Sequence, residues 1–241
     1  YPDYNEIKKY TGVLKPWNLE IFRKRLEENN LSGQANDFFK ASGASSVICY
    51  RADIEMALRT PGFGGFHLLD LQDFPGQGTA LIGILDAFMD SKGLITPEEF
   101  CHFNNRVVPL LIIDKFCWTN NETLVADIKV ANYSRWNLLD QEIQWAIKNT
   151  AGENIAEGRT TMEIAQGGLS EIIPVNADLS GIVKAEKLTL SIKLSGTSYE
   201  NSYSFWIYPV DADTKIPADI IVSEKLDSKL LEDLSSGAKV L

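Results

Sequence analysis

Two carboxylic acids and two amides stand close together beside an apolar run, and they are the residues best placed to do chemistry. The stretch Gly64-Gly65-Phe66-His67-Leu68-Leu69-Asp70-Leu71-Gln72-Asp73 ends in Asp70, Gln72 and Asp73. The loop Phe74-Pro75-Gly76-Gln77-Gly78-Thr79 follows at once and adds Gln77. Carboxylates accept hydrogen bonds and amides both donate and accept them, which suits a ligand rich in hydroxyls, such as a sugar. Period-2 alternation puts Asp70 and Gln72 on one face of a strand and Asp73 on the other. A second reading stays open for Asp70 and Asp73, in which they cap a following helix or bind loop amides. Hydrolysis of a glycoside takes two carboxylates, about 5–5.5 Å apart for retention and farther for inversion. Asp70 and Asp73 point to opposite faces and do not make that pair. Glu98 and Glu99 are accounted for by helix capping.

Other chemistries are poorly supplied. The 241 residues hold two histidines, His67 and His102, and three widely spaced cysteines, Cys49, Cys101 and Cys117, with no CxxC. That inventory argues against a metal site and against His-dependent triads, and it implies no cofactor. The cysteines read as small buried apolar residues. No nucleophile elbow, phosphate loop or dinucleotide fingerprint occurs; Gly62-Phe63-Gly64-Gly65 leads from a helix into a strand, the reverse of a phosphate cradle. The net charge is −10 with no basic patch, which argues against a nucleic-acid partner. No apolar run reaches the ~20 residues of a membrane span.

The elements that must position these groups fall into three parts. Residues 1–106 read as helices around one strand. Pro16 starts a helix carrying Leu19, Phe22 and Leu26. A second helix runs from about Gln34 to Arg59, with Phe39, Val47, Tyr50, Ile54 and Leu58 as its stripe. The apolar run to Asp73 suits a parallel strand buried on both faces, and Ala80 to Met89 reads as a helix. Thr96-Pro97-Glu98-Glu99 is a helix start with a capping box. Helix, strand, loop and helix in that order is the pattern of an α/β barrel or doubly wound sheet.

From Val107 the apolar period changes to 2. Leu124, Ala126, Ile128 and Val130 alternate with polar or small residues, as do Ile143, Trp145 and Ile147, then Leu188 to Leu194, then Tyr203, Phe205 and Ile207. About seven short strands between turn signals predict an immunoglobulin-like antiparallel β-sandwich over 107–210. Trp136, Trp206 and Tyr208 are either core and interface residues or a sugar-stacking platform. Residues 211–241 begin with the polar Asp211-Ala212-Asp213. Ile220-Ile221-Val222 then reads as a strand, Leu226 to Leu234 as a helix capped by Asp227 and ended by Gly237, and Lys239-Val240-Leu241 as another strand. This is a truncated start of a further α/β domain. With no Met at Tyr1 and an apolar end at Leu241, the chain reads as cut from something longer.

The segment Arg59 to Leu81, through Thr60-Pro61-Gly62-Phe63-Gly64-Gly65-Phe66-His67-Leu68-Leu69-Asp70, resembles the last barrel strand and following loop of glycoside hydrolase family 2-like proteins of the Bacteroidetes type. The resemblance continues through Gly83, Asp86 and Asp90-Ser91-Lys92-Gly93, reaches back to Tyr1-Pro2-Asp3-Tyr4 and extends into the sandwich. It implies a fold of α+β multidomain type: the end of an (α/β)8 TIM barrel, then the immunoglobulin-like sandwich. The implied activity is retaining hydrolysis of β-glycosides by two glutamates. Neither glutamate matches a residue here; both fall upstream, so this chain contributes no catalytic residue. Asp70, Gln72, Asp73 and Gln77 remain as substrate-binding rim. Leu68 and Leu69 stand where many members carry a tryptophan, which sets the chain apart from the usual substrate preference. The implied partners are a carbohydrate substrate and the remainder of the parent barrel, or another chain pairing with the exposed edge. The implied location is periplasmic or secreted. The alternative function is a non-catalytic carbohydrate-binding or structural module.

Overall fold

Where apolar residues recur at helical spacing, helices form. The computed structural model describes residues 2–210 and 216–241, so the expected Asp211-Ala212-Asp213 linker lies outside the described residues. A short 3-10 helix, Tyr4–Lys9, precedes α1 (Trp17–Glu28), and a second, Ser32–Gln34, leads into the long α2 (Ala35–Arg59). Leu19 and Leu26 are the buried residues of α1, and Ile54 and Leu58 face the core from α2. Gly43 lets α2 pass close to Leu94, because a Cβ there would lie 2.2 Å from a Leu94 methyl. The helix α3 (Pro97–Phe103) starts as its sequence predicts: Thr96 accepts from the Glu99 amide, and Glu99 reaches back to the Thr96 amide.

The expected strand over Gly64–Asp73 does not form. Residues 64–70 run irregularly with no ladder partner; the first pairing is an isolated parallel bridge between Gln72 and Leu85. A strand buried on both faces is a property of a sheet, and no neighbouring strand lies beside this segment among the described residues. No regular strand occurs before Val107 among them, so the barrel strand expected from the sequence is absent and only helices precede the sheets there. The expected helix over Ala80–Met89 is also absent. Asp86 captures the backbone amides of Phe88 and Asp90, Met89 takes φ +67°, and this local turn displaces the helix.

From Val107 two sheets stack. The strands β1 (Val107–Ile112), β3 (Thr123–Asn132), β6 (Gly168–Leu169) and β7 (Ile173–Asp178) make one antiparallel sheet centred on β3. The strands β2 (Cys117–Thr119), β4 (Leu138–Lys148), β5 (Asn154–Ile164), β8 (Glu186–Leu194) and β9 (Glu200–Tyr208) make the other, in the order β2-β9-β8-β4-β5. All its pairings are antiparallel except β2 on β9. The alternating residues read from the sequence meet between the sheets: Leu124, Ala126, Ile128 and Val130 from one face Ile143, Ile147, Leu188, Leu190, Ile192, Phe205 and Ile207 from the other. Burial of this seam is the main stabilising term for this part of the chain.

The strand β1 is buried on both faces. Val107 and Leu111 join the inter-sheet core, while Val108 and Leu110 pack with Ala131 against Ile54 and Leu58 of α2 and Phe103 of α3. Glu55 fastens the same junction. It is 3% exposed, pairs with Arg51 (2.9 Å) and Arg59 (2.6 Å), and accepts from the Tyr203 hydroxyl at 3.0 Å and the Asn201 amide at 3.2 Å. The helical part and the sheets therefore share one packed boundary.

At the far end, β10 (Ile220–Ile221) and β11 (Lys239–Val240) pair in parallel around α4 (Ser228–Ser235). Asp227 caps α4 through the Leu230 amide at 2.8 Å, and Gly237 at φ +93° follows its end. The protein is thus mixed α/β with several sheets. Cys49, Cys101 and Cys117 are exposed free thiols, not buried apolar fillers: two lie on helices and the third on the edge strand β2.

Candidate functional site

The loop after Leu71 owes its shape to a buried charge pair. The Asp73 side chain is 1% exposed and that of Lys92 is 2% exposed, and their charged groups meet at 2.7 Å. The Asp73 carboxylate also accepts from the Gly83 amide at 2.9 Å. Backbone bonds from Asp73 to Leu85 and from Leu85 to Leu71 set the base of the loop, and the Phe74 amide donates to the Ala80 carbonyl at 2.9 Å to close it. Gly83 packs on the base so tightly that a Cβ would lie 2.4 Å from the Gln72 carbonyl carbon. Burial pushes the Asp73 carboxyl above its ordinary range, against the opposing pull of Lys92 and Gly83.

A second ionic layer lies beside it. Lys9 bridges Asp86 and Asp90, the latter at 2.7 Å. Burial works to raise the Asp86 pKa, but hydrogen bonds from Lys9 and from the Asp90 and Phe88 amides outweigh it and hold the carboxyl below its ordinary range. Glu6 is 2% exposed, and its Oε1 accepts from the Tyr10 hydroxyl at 3.1 Å. Its Oε2 is buried with no hydrogen-bond partner among the described residues. Burial raises the Glu6 carboxyl, with the Tyr10 hydrogen bond opposing. The burial that raises Glu6 also raises the Tyr10 phenol, which faces the Glu6 charge.

The first of these layers corrects one site expectation. Asp73 is not a ligand-facing group: it binds a loop amide and a lysine in the interior, the second of the two readings its position allowed. Gln72 and Gln77 are exposed, with Phe74 exposed between them, and Asp70 is half-buried, its backbone carbonyl receiving the Tyr50 hydroxyl. Among the described residues no hydrogen bond joins Asp70, Gln72 and Gln77 to one another. The chemistry this arrangement offers is recognition: two amides and an aromatic ring displayed on a loop anchored from beneath. Sequence reasoning missed Glu6, Lys9, Tyr10 and Lys92. Charged side chains read as surface, and nothing local marks Glu6 and Lys92 as interior or places Lys9 and Tyr10 beside the buried carboxyls. No group of three or more His, Cys, Asp or Glu residues is placed to hold a metal among the described residues. No helix there is long and apolar enough to cross a membrane.

Three aromatic residues of the sheet region are displayed outward. Trp206 and Tyr208, two apart on β9, and Trp136 in the β3–β4 connection are all exposed rather than core. Asn132 holds that connection from inside, its amide donating to the Trp136 and Ile164 carbonyls at 3.0 and 3.1 Å.

The class defined so far is a mixed α/β protein with several sheets, in which a helical segment with a clamped, amide-bearing loop is joined to two stacked sheets. A family model described as a domain of unknown function (DUF8488) matches residues 122–209, which span β3 to β9. No curated protein matches the chain. Among solved structures it is similar to the alkylpurine DNA glycosylase AlkC of Pseudomonas fluorescens bound to DNA containing an abasic site analog. The identity is 10% and the TM-score 0.33, over 43% of this chain and 30% of that one. It is also similar to a putative beta-galactosidase from Bacteroides fragilis, at 9% identity and TM-score 0.28 over 34% and 13% of the two chains. A third likeness is to the C-terminal domain of Wzt, at 9% identity and TM-score 0.33 over 45% and 76%. The chain spans less than a third of the first two structures' own lengths. TM-scores this low assign neither a shared fold nor a function.

Proposed function

We propose that this chain supplies the substrate-side rim of a retaining β-glycoside hydrolase together with the immunoglobulin-like β-sandwich that follows it. In this reading residues 1–106 belong to the end of an (α/β)8 barrel of glycoside hydrolase family 2-like type, and the parent acts in the periplasm or outside the cell. The observation that carries it is the clamped loop. The Asp73–Lys92 pair fixes a turn whose exposed residues, Gln72, Phe74 and Gln77, combine amides with a ring, the pairing that grips sugar hydroxyls and stacks on a sugar face. The unpaired run over 64–70 supports a missing sheet, since Leu69 is 92% exposed within it. The two carboxyls that burial raises within these ionic layers, Glu6 and Asp73, are sealed there, so neither serves as acid or nucleophile; the catalytic pair comes from outside this chain.

The test is a panel of aryl β-glycosides, given to the 241-residue chain and to the same chain extended by the residues encoded before Tyr1. The chain alone is expected to be inert. The extended polypeptide is expected to release the aryl group, with Gln77→Ala raising KM severalfold at similar kcat. Activity in the chain alone, or an inert extended polypeptide, overturns the proposal. The outward display of Trp206 and Tyr208 on one face of β9 favours a second reading, a non-catalytic carbohydrate-binding module. That reading takes the lead if the extended polypeptide is inert but is retained on a polysaccharide gel and released by Trp206→Ala.

A further inference from the structure

Where the loop after α2 meets the start of the sheets, the surface carries a cleft of about 320 Å³. It shares no residue with the rim loop. Its walls come from separate stretches of chain. Phe63 and Phe66 reach it from the run after α2, Tyr133 from the end of β3, and Asn104 and Asn105 from the end of α3. Three rings exposed by 40%, 38% and 37% therefore converge on one hollow. The floor is Leu58, itself part of the packed boundary beneath.

No charged side chain lines the cleft. An ionic ligand would lose its hydration there with no counter-charge, so the occupant is neutral. The polar groups that do line it are amides and a phenol, each able to donate and accept, as hydroxyls do. The Asn104 side chain makes no hydrogen bond among the described residues, which leaves its donors and acceptor free for a ligand. The Asn105 side-chain Oδ1 accepts from the Arg106 amide at 2.8 Å, which leaves its NH2 donors for a ligand. The site is also built in advance. The Tyr133 amide is fixed to the Arg106 carbonyl at 2.7 Å, and its neighbour Asn132 is locked inside. On the opposite wall Gly65 takes φ +139°, a conformation that L side chains rarely adopt, and a Cβ on Gly64 or Gly65 would meet nothing within 4 Å. The paired glycines keep that wall low. A cleft at the small end of ligand sites, about 300–1,000 Å³, suits one ring rather than a chain.

We propose that this cleft binds a single neutral hexopyranose, stacked on Tyr133 and the phenylalanines and held through its hydroxyls by Asn104 and Asn105. It is a sugar site apart from the rim, and it is tested on the 241-residue chain itself, so its failure is distinguishable from failure of the hydrolase reading.

The test uses the full chain, titrated with methyl β-glucoside, methyl β-galactoside and methyl α-mannoside and followed by saturation-transfer difference NMR. At least one sugar is expected to saturate, with a dissociation constant of about 1–10 mM. Tyr133→Ala is expected to weaken it about tenfold by removing the stacked ring, and Asn104→Leu about fivefold at nearly constant volume. Asn104→Leu removes no internal hydrogen bond, so it keeps the test meaningful even if Tyr133→Ala unfolds the junction. Gln72→Ala and Gln77→Ala are expected to leave binding unchanged, which separates this site from the rim. Three results overturn the proposal: no saturation by any of the sugars, saturation that Asn104→Leu leaves intact, or tighter binding of benzyl alcohol than of every sugar.

Discussion

Lys92→Met tests the clamp on which the rim depends. The substitution keeps the length of the side chain and removes its charge, leaving the Asp73 carboxylate in the interior with the Gly83 amide as its remaining partner. Removing one member of a buried pair typically costs about 3–5 kcal/mol, because the other charge is left uncompensated. A ceiling follows from protonation, since Asp73 escapes the cost by becoming neutral. An ordinary aspartate titrates at 3.8, so neutralising it at neutral pH costs about 1.4 kcal/mol per pH unit over roughly three units, or about 4 kcal/mol. The two figures agree, and the expected loss is about 3–4 kcal/mol at neutral pH. The sign with pH is fixed by linkage. Burial raises the folded Asp73 above its unfolded value, so the folded state holds the extra proton and the penalty grows as pH rises through that window. Acidification toward the ordinary aspartate value should therefore restore much of the lost stability, and Asp73→Asn in the Lys92→Met background should restore part of it at neutral pH. Urea unfolding gives the magnitude, and hydrogen exchange at the Gly83 amide shows whether the loop opens locally or the whole chain unfolds. A loss under about 1 kcal/mol at neutral pH, or one that does not shrink in acid, would refute a closed, buried pair.

Glu55→Ala leaves Arg51, Arg59, Tyr203 and Asn201 without their shared acceptor and is expected to cost about 3 kcal/mol in thermal unfolding, whereas Tyr203→Phe, which removes one bond to it, should cost about 1 kcal/mol. Thr96→Ala should cost about 1 kcal/mol through the lost cap of α3. Hydrogen bonds from Thr96, its backbone amide first, hold the Glu99 carboxyl below its ordinary 4.5, so its contribution is present above that value and is lost as pH falls through the folded one; NMR titration of Glu99 should show the depressed pKa, and Thr96→Ala, which keeps the backbone amide, should relax it in part.

The residues that the sequence placed well are those whose structure is decided by near neighbours. Thr96, Pro97 and Glu99 start a helix, and Asp227 caps another, because a cap needs only an amide two or three residues away. The alternation of Leu124, Ala126, Ile128 and Val130 marked an inner sheet face because side chains on a strand point alternately to its two sides. The apolar run ending at Asp73 shows where that reasoning stops. Its composition suits a buried strand, but a strand needs partners, and none lies beside it among the described residues. The helix expected over Ala80–Met89 yielded to a turn held by Asp86, a competition between local bonds that apolar spacing does not reveal. Tertiary structure alone decided that Asp73 faces Lys92 and not a ligand, and that Glu6 and Glu55 are interior. It also decided that the three cysteines are exposed, and that Phe63, Phe66 and Tyr133, up to seventy positions apart, share one cleft. Each of these depends on which distant segment lies alongside, and in one dimension a charge or a ring carries no mark of what it will be packed against.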